Sequence, residues 1–158
     1  RYLYPLEAVG AGDSTLAKAY ERDALTMIPT KSKLMPHARE VLEYLSGKYN
    51  LYILSNGFKE LQSHKMRSSG IDEYFKKVVL SDDIGILKPW PEIFHFALST
   101  TQSELNNSLM IGDSWENDIV GAAGVGMHQV FYNLSGRTDL PFAPTYQITD
   151  LKDLFNFL

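Results

Sequence analysis

The chain has 158 residues, 44% hydrophobic and 22% charged, which is the makeup of one globular domain rather than a disordered or fibrous chain. Its net charge of −4 argues against a nucleic-acid polymer or an anionic membrane surface as the main partner. The absence of cysteine removes disulfides, thiol nucleophiles and thiolate metal sites.

The first 35 residues differ from the rest. Asp13 or Ser14 can cap a helix whose apolar positions Leu16, Ala17, Tyr20, Ala24 and Leu25 share one face, and Ile28-Pro29-Thr30 breaks it. A compositional seam follows near Thr30–Met35. A second helix is predicted from Pro36, with proline in the first turn, Val41, Leu42 and Leu45 facing inward and Gly47 as the stop. The chain then alternates. Strands are predicted at Leu51–Leu54, Lys77–Leu80, Leu109–Ile111 and His128–Phe131, with Tyr146–Ile148 as a last edge strand. Helices are predicted at Phe58–Ser69, closed by Gly70, and at Pro91–Ser99, Glu116–Ala123 and Leu151–Phe157. Short apolar strands alternating with helices predict an α/β fold, a Rossmann-like parallel sheet with helices on both faces.

In an open parallel α/β sheet, ligands bind outside the carboxyl ends of the strands. There Leu51–Leu54 runs into Ser55-Asn56-Gly57, and Leu109–Ile111 into Gly112-Asp113-Ser114, with Asp118 five residues after Asp113. Between them Gly85-Ile86-Leu87-Lys88-Pro89 delivers a lysine just before a helix. A hydroxyl with neighbouring amides, a lysine and two carboxylates suit a phosphoryl group and a divalent cation. Each piece alone has an ordinary reading: a turn, a loop lysine, a helix cap, a solvated carboxylate. Their joint occurrence at successive strand ends carries the functional one. His37, His64, His95 and His128 are scattered, and no pair has zinc-ligand spacing. Trp90 and Trp115, each beside a motif, are expected to pack in the core or to shape the mouth of the site.

Leu54-Ser55-Asn56-Gly57, Lys88-Pro89-x-Pro91-x-Ile93-Phe94 and Met110-Ile111-Gly112-Asp113-Ser114-x-x-Asn117-Asp118 together resemble the haloacid dehalogenase-like hydrolase superfamily. Ser55-Asn56-Gly57-Phe58, Ser69-Gly70-Ile71, Tyr74-Phe75 and Phe131-Tyr132-Asn133 resemble its pyrimidine 5′-nucleotidase-like phosphatases. The resemblance runs from about Leu34 to the C-terminus. It implies a magnesium-dependent phosphomonoester hydrolase that works through an aspartyl-phosphate on a nucleotide or sugar phosphate. In it Ser55, with the amides of Asn56 and Gly57, would bind the phosphoryl group, and Lys88 would neutralise nucleophile and phosphate. Asp113 would ligate Mg2+, and Asp118 would hold the metal's waters or Lys88.

One family motif is missing. Asp-x-Asp-x-Thr should follow an N-terminal apolar strand, yet the only aspartates before Ser55 are Asp13 and Asp23, in neither such setting. Residues 1–34 are therefore expected to be the C-terminal part of a helical cap and linker, and residues 35–158 a core lacking its first strand. The chain begins at Arg1 without methionine. It is expected to be a processed or truncated product, inactive by itself. If the lost strand belongs between Leu51–Leu54 and Leu109–Ile111, those two should not pair with each other.

The alternatives are a haloacid dehalogenase and a non-catalytic truncated remnant. A two-component receiver domain is disfavoured, since there the acceptor aspartate and hydroxyl precede Lys-Pro, whereas here the carboxylates follow it. The expected partner is a small phosphorylated metabolite, with no nucleic-acid polymer and no membrane, for a monomer or weak homodimer. No apolar run approaches the roughly 18 residues of a membrane span and no signal-peptide pattern is present, so a cytoplasmic location is expected.

Overall fold

A computed structural model describes residues 3–27 and 32–158. The predicted break at Ile28-Pro29-Thr30 falls outside the described residues, as do the side chains of Ala24 and Leu25. The chain divides into two compact units. One comprises Arg1–Lys33 with Lys59–Asp72, the other Leu34–Phe58 with Glu73–Leu158.

The first unit is helical: α1 (Leu3–Ala8), α2 (Ser14–Met27) and α4 (Lys59–Ser69). Asp13 caps α2, its Oδ1 accepting from the Thr15 N–H at 2.7 Å. Leu16 and Tyr20, two of the apolar positions expected to share one face, are 39% and 52% exposed.

The second unit is an α/β layer structure. Its elements are α3 (Ala38–Ser46), β1 (Leu51–Ser55), β2 (Phe75–Leu80), α5 (Pro91–Thr101) and β3 (Leu109–Gly112), then α6 (Gly121–Gly124), β4 (His128–Tyr132) and β5 (Tyr146–Ile148). Helix α3 starts later than the expected first turn at Pro36, because His37 takes a left-handed backbone at φ 62°. All strand pairs are parallel, and successive side chains leave a strand on opposite faces. Leu109 and Ile111 of β3 accordingly join Val41 and Leu45 of α3, Val130, Ile148 and Leu154. Met110, between them, joins Ile93 and Phe94 of α5, Ala122 and Met127. Helices thus cover both faces.

The strands do not form one sheet. Among the described residues strand β1 pairs only with β2, and β3, β4 and β5 form a separate sheet in that order. Strands β1 and β3 do not pair. Every residue of these two strands is half-buried, whereas β4 is buried at four of its five positions. In a complete sheet covered on both faces the middle strands would be the driest; here the two inner edges lack a strand neighbour among the described residues.

Two predicted α-helices have other geometries. The segment after β3 is a π turn, Trp115–Val120, running into α6. The Ser114 carbonyl accepts from both the Asp118 N–H at 2.8 Å and the Ile119 N–H at 3.3 Å, which widens the turn. The last segment, Leu151–Asn156, is a 3-10 helix. Asp150 and Asp153 cap each other's backbone in a reciprocal box.

Candidate active site

The three motifs converge at the carboxyl ends of β1 and β3. After β1 the chain turns sharply, and the Ser55 hydroxyl accepts from the Gly57 N–H at 3.0 Å. Asn56 does not reach outward as a ligand. Its side chain clips two loops together, Nδ2 donating to the Lys88 carbonyl at 3.0 Å and Oδ1 accepting from the Lys88 N–H at 2.7 Å. The Lys88–Pro89 peptide bond is cis.

The Lys88 side chain turns inward from this clip. Its ammonium donates to the Leu54 carbonyl at the end of β1, at 2.8 Å, and to Asp118 Oδ1 at 2.6 Å. The two side chains are only 9% and 7% exposed. Neither charge tolerates such burial alone; each compensates the other. The second Asp118 oxygen is also engaged, Oδ2 accepting from the Ser114 N–H at 3.0 Å. Ser114 caps the following turn, its Oγ accepting from Asn117 Nδ2 at 2.9 Å.

Gly112 makes this geometry possible. A Cβ there would lie 2.3 Å from Asp118 Oδ2, so any larger residue would push the carboxylate off Lys88. Asp113, one residue on, is exposed and has no hydrogen bond or ion pair to a described residue.

Ser55, Asn56, Gly57, Lys88 and Asp118 are therefore brought into one network, with Asp113 at its open rim. Some assignments shift. The Gly57 N–H, expected on phosphate, is directed to Ser55 Oγ, and Asn56 is a loop clip. Asp118 partners Lys88, the second of its two expected roles, through Oδ1, while Oδ2 accepts from the Ser114 N–H. Asp113 keeps an open carboxylate and fits a hard cation, which takes one or two carboxylates and fills its shell with water. Among the described residues no group of three His, Asp or Glu converges on a common point. The sequence reading missed the Ser114 N–H as the group that aims Asp118, and Asn117 as the donor to the Ser114 hydroxyl. The cap signal of a serine just after a strand was legible, but its second duty was not.

A phosphate-sized anion at this rim would meet a hydroxyl, an ammonium and a carboxylate able to carry a divalent cation, on a parallel α/β scaffold. These are the parts of a phosphoryl-transfer hydrolase. Residues 4–126 match the family model for haloacid dehalogenase-like hydrolase, and the chain belongs to that family. It is 31% identical over 126 residues to the pyrimidine 5′-nucleotidase YjjG of Escherichia coli, covering 78% of this chain and 56% of that protein. It superimposes with a TM-score of 0.88 on a magnesium-bound structure of YfnB from Bacillus subtilis, at 27% identity over 99% of this chain and 68% of that one. A dehalogenase structure also shares the fold, with a TM-score of 0.82 at 28% identity, over 99% of this chain and 68% of that one. The chain spans from 42% to 64% of the length of the first curated relatives it matches.

Proposed function

We propose that the chain is the larger part of a magnesium-dependent phosphomonoesterase acting on a small phosphorylated metabolite, a nucleotide or a sugar phosphate. The observation that carries this reading is the Lys88 ammonium, buried at the ends of two strands and held by Asp118. An ammonium fixed there neutralises charge that builds on a phosphoryl group between β1 and β3.

The nucleophilic aspartate and the acid/base residue are not among Arg1–Leu158. They would lie on a strand between β1 and β3, which do not pair with each other among the described residues. Its carboxylate oxygen would attack phosphorus as the ester P–O bond breaks, the departing alkoxide taking a proton from the acid. Water, deprotonated by the same residue, would then cleave the aspartyl-phosphate and release inorganic phosphate. Through both steps Ser55 holds a phosphoryl oxygen, Lys88 offsets its charge and Asp118 keeps Lys88 aimed. Asp113 would hold Mg2+, which supplies further charge neutralisation when bound.

In this reading residues 1–34 belong to a helical cap, and the protein is a cytoplasmic monomer or weak homodimer. Among the described residues no helix is long and apolar enough to cross a membrane. The dehalogenase reading leaves the open carboxylate of Asp113 without a task. The test is phosphate release by the 158-residue chain and by a longer form that includes an upstream Asp-x-Asp strand. The longer form should hydrolyse phosphomonoesters and stop in EDTA, while the shorter should be inert. Activity of the shorter form, or activity undiminished by EDTA, would refute the proposal.

A further inference from the structure

Of the two tryptophans beside the site motifs, Trp90 is 64% exposed and Trp115 is 4% exposed. Trp115 joins neither of the clusters built on the two faces of β3. Its buried companions are Ile119 and Phe131, with Leu140 packed against them. The membership of this third cluster is informative. Trp115 opens the π turn, and the Ile119 N–H widens it by donating to the Ser114 carbonyl at 3.3 Å. Phe131 stands beside Gly112 in the register of β3 and β4. The cluster thus grips the turn on either side of the Asp118 carboxylate, next to the strand position against which Asp118 folds back.

The indole is held from more than one direction. Phe131 meets it edge-on at 5.2 Å, and Phe142 tilts against it at 4.9 Å. The Arg137 guanidinium lies 5.6 Å from the ring centroid, within cation–π range. Buried Asn133 fixes the Arg137 backbone, Nδ2 donating to its carbonyl at 2.8 Å and Oδ1 accepting from its N–H at 2.9 Å. The loop after β4 is therefore folded onto the ring. Trp115 shares a peptide bond with Ser114, whose carbonyl accepts from the Asp118 and Ile119 N–H groups. A shift of the indole moves that carbonyl, and the turn moves with it. The Asp118 carboxylate has little slack, with Oδ1 at 2.6 Å from Lys88 and Oδ2 at 3.0 Å from the Ser114 N–H. Misplacing an aligned group by about 1 Å costs about a hundredfold in rate.

We infer that Trp115 is a positioning residue of the phosphoryl site. Its ring, held by Phe131 and by Arg137 and Phe142 of the loop after β4, sets the π turn that aims Asp118 and, through Asp118, the Lys88 ammonium. The effect on rate rests on the phosphomonoesterase reading; the effect on the ion pair does not. A tryptophan that served packing alone would lower stability when truncated and leave the Lys88–Asp118 pair as it is. One that holds the turn would weaken the pair itself.

The test uses the complete protein, a phosphomonoester assay and urea unfolding. Trp115→Leu should lower kcat/KM at least about tenfold where the variant is folded, and Trp115→Phe, which keeps a ring against Phe131, should recover most of it. With Lys88→Met already present, Trp115→Leu should cost less than about twofold more, because nothing is left to aim. Leu154→Ala, a truncation in the cluster of α3 and β5, should leave kcat/KM within about twofold at a similar stability loss. In unfolding, the coupling between Lys88→Met and Asp118→Leu should fall to about half when Trp115→Leu is added. If Trp115→Leu does not fold, Phe142→Ala, which uncovers the ring and leaves it in place, carries the same cycle with a loss of about threefold. An undiminished loss on top of Lys88→Met, or an unchanged coupling, would overturn the inference and leave Trp115 a packing residue. A halved coupling in a complete protein that hydrolyses no phosphomonoester would uphold the positioning and remove the hydrolase reading instead.

Discussion

Two ion pairs in this protein have the same separation, 2.6 Å, and very different settings. Lys88 and Asp118 are 9% and 7% exposed, and both are committed to further hydrogen bonds at the strand ends. Arg137 and Glu116 are 28% and 69% exposed, on the loop after β4 and the turn after β3. Distance does not tell these pairs apart; water does. An exposed pair is screened and replaceable, whereas a buried one leaves a stranded charge when either partner is removed. The first pair is therefore an element of the site, and the second a surface tether. Arg137 lies over the Trp115 ring at 5.6 Å, and Asn133 fixes its backbone through bonds of 2.8 and 2.9 Å, so that tether has packing support.

The widest gap between the pairs should appear at Lys88. Lys88→Met leaves the Asp118 carboxylate buried and uncompensated. Turnover of the complete enzyme should fall at least a hundredfold, about 3 kcal/mol of transition-state stabilisation. Urea unfolding should show a stability loss of about 3–5 kcal/mol, partly restored when Asp118→Leu is added. A loss of turnover under threefold would make Lys88 an ordinary loop lysine.

Asp113→Asn sharpens the comparison from the other side, since Asp113 is exposed. Activity should drop by orders of magnitude, while the unfolding free energy changes by less than about 0.5 kcal/mol. An unimpaired variant would take Asp113 out of the site.

Gly112→Ala probes the packing that aims Asp118. With a Cβ at 2.3 Å from the carboxylate oxygen, strain should lower stability by about 1–3 kcal/mol, read from the same unfolding curves. The smallest effect belongs to the surface pair. The hydrogen bond from Arg137 holds the Glu116 carboxyl below its usual value of 4.5. Because the folded value is the lower one, the contribution is present above pH 4.5 and is lost as the pH falls through the folded value. Glu116→Gln should remove a slight slope of stability against pH in that acid range and lower stability at pH 7 by the same small amount. High salt should erase the same slope.

Much of this was legible in the sequence, for reasons that differ by element. Strand positions followed from short apolar runs such as Leu51–Leu54 and Leu109–Ile111, because a parallel strand buried on both faces needs no alternation. The site followed from polar residues placed directly after those runs. What was illegible depended on contacts between distant residues. Asn56 reads as a turn residue, and only the fold brings the Lys88 backbone within reach of its amide. The π turn at Trp115–Val120 arises because Ser114 accepts two N–H groups while Asp118 reaches back beneath Gly112. No propensity encodes that. That β1 and β3 do not pair was expected from the missing Asp-x-Asp motif, because the absent strand belongs between them.

The account stands most directly on which bond the complete protein breaks. Purified enzyme should be given a nucleoside monophosphate and, separately, a 2-haloacid, each with and without Mg2+, and released phosphate and halide measured. The account predicts phosphate release that requires Mg2+ and is abolished by Lys88→Met, with no halide. Halide released without metal, and no phosphate under any condition, would contradict it.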